Sequence, residues 1–151
     1  MRRTSLALLL AVAVSACGGG DDDGNPNNPT PPPQGPATLQ VVDVTVGTGA
    51  EATGNKLVGV HYVLYLYDPA GPDGRGQRIQ ASREILSGPY SYRQGTNAVI
   101  PGFEQGVTGM RVGGTRRVTV PPTLAYGASG SQGIPGNSWL VFELELISVA
   151  D

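Results

Sequence analysis

The stretch SWLVFELELIS at residues 138–148 constrains the fold more than any other part of the chain. Leu140, Phe142, Leu144 and Leu146 recur at every second position, with Glu143 and Glu145 between them. A period of two puts the apolar set on one face of a β-strand and the carboxylates on the other, which we assign to solvent. Such a strand needs a sheet with one covered face, and antiparallel sheets supply that. From residue 39 onward the chain repeats the theme in short runs punctuated by glycine: LQVVDVTV (39–46), KLVGVHYVLYLY (56–67), QRIQAS (77–82), YSY (90–92) and GTRRVTV (114–120). These runs are rich in the β-branched and aromatic residues that strands favour. A turn-rich loop, DPAGPDGRG, occupies residues 68–76.

One segment reads differently. In AVIPGFEQGVTGM (98–110), Phe103, Val107 and Met110 fall at i, i+4 and i+7 and share one helical face, so a short helix is expected over 102–110. Gly106 and Gly109 each cost that helix roughly 1 kcal/mol relative to alanine. Close approach of the helix to the sheet would explain the cost. The pattern holds no second helix, no internal repeat and no βαβ rhythm. The expected class is α+β: an antiparallel sheet of about five to six strands covered by one short helix.

The N-terminus does not belong to that domain, which we bound at residues 38–151. Met1-Arg2-Arg3 is a basic start and residues 6–16 are apolar, long enough for a signal h-region and too short to span a bilayer. The run ends in Val14-Ser15-Ala16-Cys17, which resembles a bacterial lipobox. Residues 1–16 are therefore read as a lipoprotein signal peptide and Cys17, the only cysteine, as the lipidated N-terminus. A lone cysteine excludes an intramolecular disulfide, so the fold must stand on its core. Residues 17–37, from Cys17 through GGGDDDGNPNNPTPPPQGPA, offer little to bury and read as a disordered tether, reaching roughly 60 Å if extended. The acidic run at 21–23 is a solvated spacer. Ten Lys+Arg against twelve Asp+Glu give a formal net charge of −2, which argues against a nucleic-acid partner.

Conventional catalytic equipment is missing. The only histidine, His61, sits mid-strand between Val60 and Tyr62, and no G-x-S-x-G nucleophile motif occurs. One histidine, one cysteine assigned to lipidation and scattered carboxylates do not make a metal-ligand set. No glycine-rich phosphate motif occurs in a βαβ setting. Glu143 and Glu145 could mimic a glycosidase pair, but an amphipathic strand explains them more simply. What remains is a set of aromatic and apolar residues beside glycine and proline: Tyr62, Tyr90, Val99, Ile100, Phe103, Tyr126, Ile134 and Phe142. Plain core packing would account for most of them. Tyr126 is the exception, because it lies in a long Gly/Ser-rich loop, PPTLAYGASGSQGIPGNSW (121–139).

The order of these segments resembles the FKBP-type peptidyl-prolyl cis-trans isomerases, the macrolide-binding immunophilins. The likeness runs over about residues 39–149 and is carried chiefly by VIPGFEQGVTGMRVGG and by AYGASGSQGIPGNSWLVFELELI. It implies a curved antiparallel sheet wrapped over one helix. It also implies a proline pocket, with Phe103 as floor and Tyr62, Tyr90, Val99, Ile100 and Phe142 as walls. Ile79 stands at a further pocket position, Tyr126 offers its hydroxyl to a ligand carbonyl, and the Ile100 N–H offers a second donor. Ile134 falls on a loop overhanging the pocket. Tyr62, Gln80, Tyr126 and Phe142 are the positions the resemblance assigns to catalysis. It implies no cofactor and no metal. The implied partners are proline-containing polypeptides and macrolide inhibitors, with a membrane only through the lipid anchor, and a monomer.

Three features depart from the family pattern. Gln80 stands where the family usually has aspartate, which would alter any electrostatic help to a twisted carbonyl and reduce turnover. The 68–76 loop is longer than a tight hairpin. Ser131-Gln132 lacks bulk at the loop tip. Two functions are thus in play: an envelope prolyl isomerase acting on exported chains, its anchor in the outer membrane since Gly18 follows the cysteine, or a non-catalytic holdase or adaptor for proline segments. A structural lipoprotein with a vestigial pocket is a third.

Overall fold

The computed structural model describes residues 30–151. The signal sequence and Cys17 lie outside the described residues. Six strands form one antiparallel sheet: β1 (Gln40–Thr45), β2 (Leu57–Tyr67), β3 (Arg75–Ala81), β4 (Tyr90–Arg93), β5 (Thr115–Val120) and β6 (Leu140–Ala150). Their order is β1-β5-β6-β2-β3, and β4 also pairs with β2. β3 and β4 share one edge of the long β2. Ala81 and Gln80 pair with Val63 and Leu64, while Tyr90 pairs with Val60 further along. Between them the chain leaves the sheet as one helical turn, α1 (Ser82–Ile85). The six-strand antiparallel sheet with one short covering helix, α2 (Pro101–Val107), is as expected, and α1 is a single turn beyond that expectation. At four residues, α1 is too short to show a hydrophobic period.

The second helix, α2 (Pro101–Val107), lies on the sheet face that β6 presents. Pro101 suits the first helical turn, where its missing N–H has no partner to lose. Phe103, Val107 and Met110 are all buried against Val118, Val120, Leu140, Phe142, Leu144 and Leu146, as the two periods require. The helix stops earlier than its sequence period suggests. Gly109 sits at φ = 78° with open space around its Cα, so its service is the left-handed turn that ends the element. Gly106 is the close-approach glycine: a Cβ there would stand 2.7 Å from Val118 Cγ2 and 3.2 Å from Leu144 Cδ1.

The opposite face of the sheet is less open than its carboxylates suggest. Glu143 bonds Arg75 at 2.8 Å and Glu145 bonds Arg83 at 2.5 Å. Val141, on that same face, is fully buried. Here the 68–76 loop folds back, with Asp73 reaching Arg117 at 2.9 Å. Gly35 and Pro36, expected in the tether, lie on Trp139, whose indole N–H donates to the Pro36 carbonyl at 3.1 Å.

Candidate functional site

The interruption between β3 and β4 opens a gap at the sheet edge, and the site forms there. Gln80 ends one side of the gap and Tyr90 begins the other. Tyr62 and Leu64 line it from β2 and Phe142 from β6, with Phe103 of α2 beneath them. The loop leading into α2 contributes residues 97–100, and Tyr126 closes the far side. Together they enclose a cavity of about 490 Å³.

The floor is an interlocked set of rings. Phe103, 4% exposed, meets Tyr62 at 5.6 Å and Phe142 at 5.3 Å, both nearly perpendicular. Tyr62 in turn meets Tyr90 edge-on at 6.2 Å. Edge-to-face pairs of this kind add about 0.5–1.5 kcal/mol each beyond area burial and fix ring orientation. Tyr92 supports Phe103 from behind at 5.9 Å. Its hydroxyl is buried with no hydrogen-bond partner among the described residues.

Two phenols and one amide supply the polarity. The Gln80 side-chain amide donates to the Tyr62 oxygen at 2.9 Å, which leaves the Tyr62 proton free to be donated elsewhere. Burial pushes the Tyr62 and Tyr126 phenols above their ordinary range, helped by the neighbouring tyrosines, and in Tyr62 the Gln80 hydrogen bond partly offsets this. Both therefore stay protonated at neutral pH as donors. The Ile100 carbonyl caps α2 by accepting the Phe103 and Glu104 N–H groups.

Of the residues named from sequence, Tyr62, Gln80, Tyr90, Val99, Ile100, Phe103, Tyr126 and Phe142 converge on this cavity. Two do not line it. Ile134 is 8% exposed and packs into the core, its backbone paired with Ser131. Ile79 packs against the core beside the site. It is the extra residue of a β-bulge, since Leu64 pairs with Gln80 but Tyr65 pairs with Arg78. Such a bulge re-aims a side chain next to a site. Leu64, Asn97 and Ala98 line the cavity without having been singled out. Asn97 takes φ = 56°, and an asparagine two residues after Gly95 is the one signal that could have marked that turn.

His61 does reach a serine: its Nδ1 lies 3.1 Å from Ser82 Oγ. That oxygen also accepts the Tyr62 backbone N–H at 2.9 Å, and Ser82 is fully buried. The hydroxyl thus completes the ladder where β3 turns into α1, and no substrate can reach it as a nucleophile. A smaller cleft of about 310 Å³ beside His61, on the opposite sheet face, is edged by ion pairs already matched to each other, Arg83–Glu145 and Arg116–Asp43. Among the described residues no cluster of His, Cys, Asp and Glu could hold a metal ion.

An antiparallel sheet folded over a short helix, with an aromatic cleft at the broken edge and phenol donors lining it, defines a domain built to hold an apolar ligand. A model of the FKBP-type peptidyl-prolyl cis-trans isomerase family matches residues 49–147, and the chain belongs to that family. It is 40% identical over 116 residues to the FK506-binding protein 4 of Dictyostelium discoideum, covering 76% of this chain and 29% of that one. Identity is also 40% over 121 residues with the chloroplastic peptidyl-prolyl cis-trans isomerase FKBP16-4 of Arabidopsis thaliana, covering 76% and 49%. The crystal structure of FkpA from Escherichia coli superposes with a TM-score of 0.63 at 35% identity, over 74% of this chain and 48% of that one. The chain thus spans half or less of the length of each of these three relatives.

Proposed function

We propose that this protein is a peptidyl-prolyl cis-trans isomerase that eases rotation about X-Pro bonds in exported polypeptides. The reading rests on the cavity above all: interlocked rings lining a space of about 490 Å³, with protonated phenols among its walls. An X-Pro bond turns over a barrier of ~20 kcal/mol because amide resonance holds it planar. Water strengthens that resonance by hydrogen bonding the planar carbonyl. A proline ring seated on Phe103, between Tyr62, Tyr90 and Phe142, leaves this water behind. The Tyr126 hydroxyl and the Ile100 N–H hold the flanking carbonyls while the imide twists. A thousandfold acceleration needs only about 4 kcal/mol, within reach of desolvation and a few fixed donors. No bond is broken, so no nucleophile, acid or base is required. Macrolide inhibitors would compete for the same cavity.

A second reading is a holdase or adaptor that binds proline segments with little turnover, and Gln80 is what favours it. A protease-coupled assay on an Ala-Leu-Pro-Phe-type peptide separates the two. We expect turnover above background, a several-fold loss in Tyr126→Phe, and a gain in Gln80→Asp. Peptide binding with background turnover in all three proteins would support the holdase instead.

We place the protein in a bacterial cell envelope as a monomer, anchored through Cys17 and with the outer membrane preferred. The leader sequence and the Gly/Pro-rich spacer support this. Labelling with a fatty-acid analogue should mark the wild type and not Cys17→Ala; an unlabelled wild type removes the anchor.

A further inference from the structure

Trp139 has no part in the cavity, yet its indole is engaged. The backbone at Gly35 lies so close to the ring that a Cβ there would stand 2.6 Å from Cδ1. The indole N–H donates to the Pro36 carbonyl at 3.1 Å. Residues 30–36, TPPPQGP, carry neither helix nor strand and run along a groove on both sides of the ring. One flank faces Leu66, Tyr67 and Pro135, the other Pro121, Pro122 and Asn137. This groove shares no lining residue with the isomerase cavity.

The chemistry is that of proline-rich recognition. A Pro-rich chain is already extended and loses little freedom on docking. It has few N–H groups to satisfy, and its carbonyls are good acceptors for an indole donor that can only donate. Trp139 supplies that donor and an apolar face together. Its own position is fixed, because its carbonyl accepts the Tyr67 N–H at 2.9 Å. The resident segment does not fill the groove: cavities of about 270 and 490 Å³ remain along its two flanks.

We propose that the Trp139 groove is a second peptide site, which takes proline-rich extended segments of other polypeptides through the same contacts that hold residues 31–36 here. The proposal stands independently of the isomerase reading. The resident is tethered at an effective concentration in the millimolar range, so a free peptide gains access when the segment is displaced.

Trp139 is the only tryptophan in the chain, so its emission reports the groove directly. In the full chain, the combined variant Pro31→Ser, Pro32→Ser, Pro33→Ser, Pro36→Ser should shift emission to the red. The peptide TPPPQGPA added to that variant should reverse the shift, and a proline-to-serine version of the peptide should not. In the same variant background, Trp139→Phe keeps an aromatic ring but loses the donor. It should weaken peptide binding, read by line broadening of the peptide's NMR signals, at least fivefold while leaving turnover of a short prolyl substrate unchanged. Identical emission in wild type and the serine variant would show that the segment is not seated. A red shift that the peptide cannot reverse would reduce the groove to an internal clasp. Binding undiminished by Trp139→Phe would place the peptide in the isomerase cavity. Each of these three results overturns the proposal.

Discussion

Gln80 and Tyr62 meet because a bulge at Ile79 lets β3 hold Gln80 opposite Leu64 just before the sheet edge breaks. The amide donates to the phenol oxygen, so Tyr62 can donate its own proton into the cavity. Phe103 carries the larger energy. It is buried among three other rings, and Phe103→Ala should cost about 3–5 kcal/mol in urea unfolding and abolish turnover. Wild-type turnover in that variant would remove Phe103 from the site. Tyr92 argues the other way. Its buried hydroxyl lacks a partner among the described residues, so Tyr92→Phe should keep or raise stability, by up to about 3 kcal/mol. A large loss would show that the hydroxyl is in fact satisfied. At this scale most of the cavity was legible, since Tyr62, Phe103 and Phe142 sit on strongly periodic elements and Tyr126 is an aromatic among glycines. The bulge at Ile79 was not legible, because a one-residue slip leaves no trace in composition.

Among the elements, α2 sets two terms against each other. Alanine at Gly106 gains roughly 1 kcal/mol of helix propensity. Its Cβ would press into Val118 and Leu144, both fully buried, and overpacking typically costs about 1–3 kcal/mol. The clash should win, so Gly106→Ala lowers the urea midpoint; a raised midpoint would mean that the helix can lift off the sheet freely. The alternation of β6 and the apolar face of α2 fixed which residues meet, and both are visible in the letters. The one turn of α1 was invisible, as was the seating of Gly35 and Pro36 on Trp139. Both are tertiary: Ser82 completes a ladder 20 residues away, and a Gly-Pro pair looks like linker until an indole faces it.

For the molecule as a whole, burial raises the Tyr62, Tyr92 and Tyr126 phenols above the ordinary value of ~10. A group whose folded value exceeds its unfolded value stabilises the fold fully below the unfolded value, and that contribution is lost as pH rises through the folded one. Thermal midpoints should therefore be insensitive to these groups from pH 7 to 9 and fall above about pH 10. Midpoints that stay level through about pH 11 would mean that the phenols are more solvated than the structure shows. The same protonation bears on function, because the donors at the rim persist throughout the neutral range. If surroundings rather than reactive groups ease the imide, no proton moves in the rate-limiting step. The direct test is kcat/KM for the Ala-Leu-Pro-Phe-type peptide measured from pH 5.5 to 9. We predict a level profile well above the uncatalysed rate; a bell or a sigmoid that survives correction for stability would show that a titrating group does the chemistry.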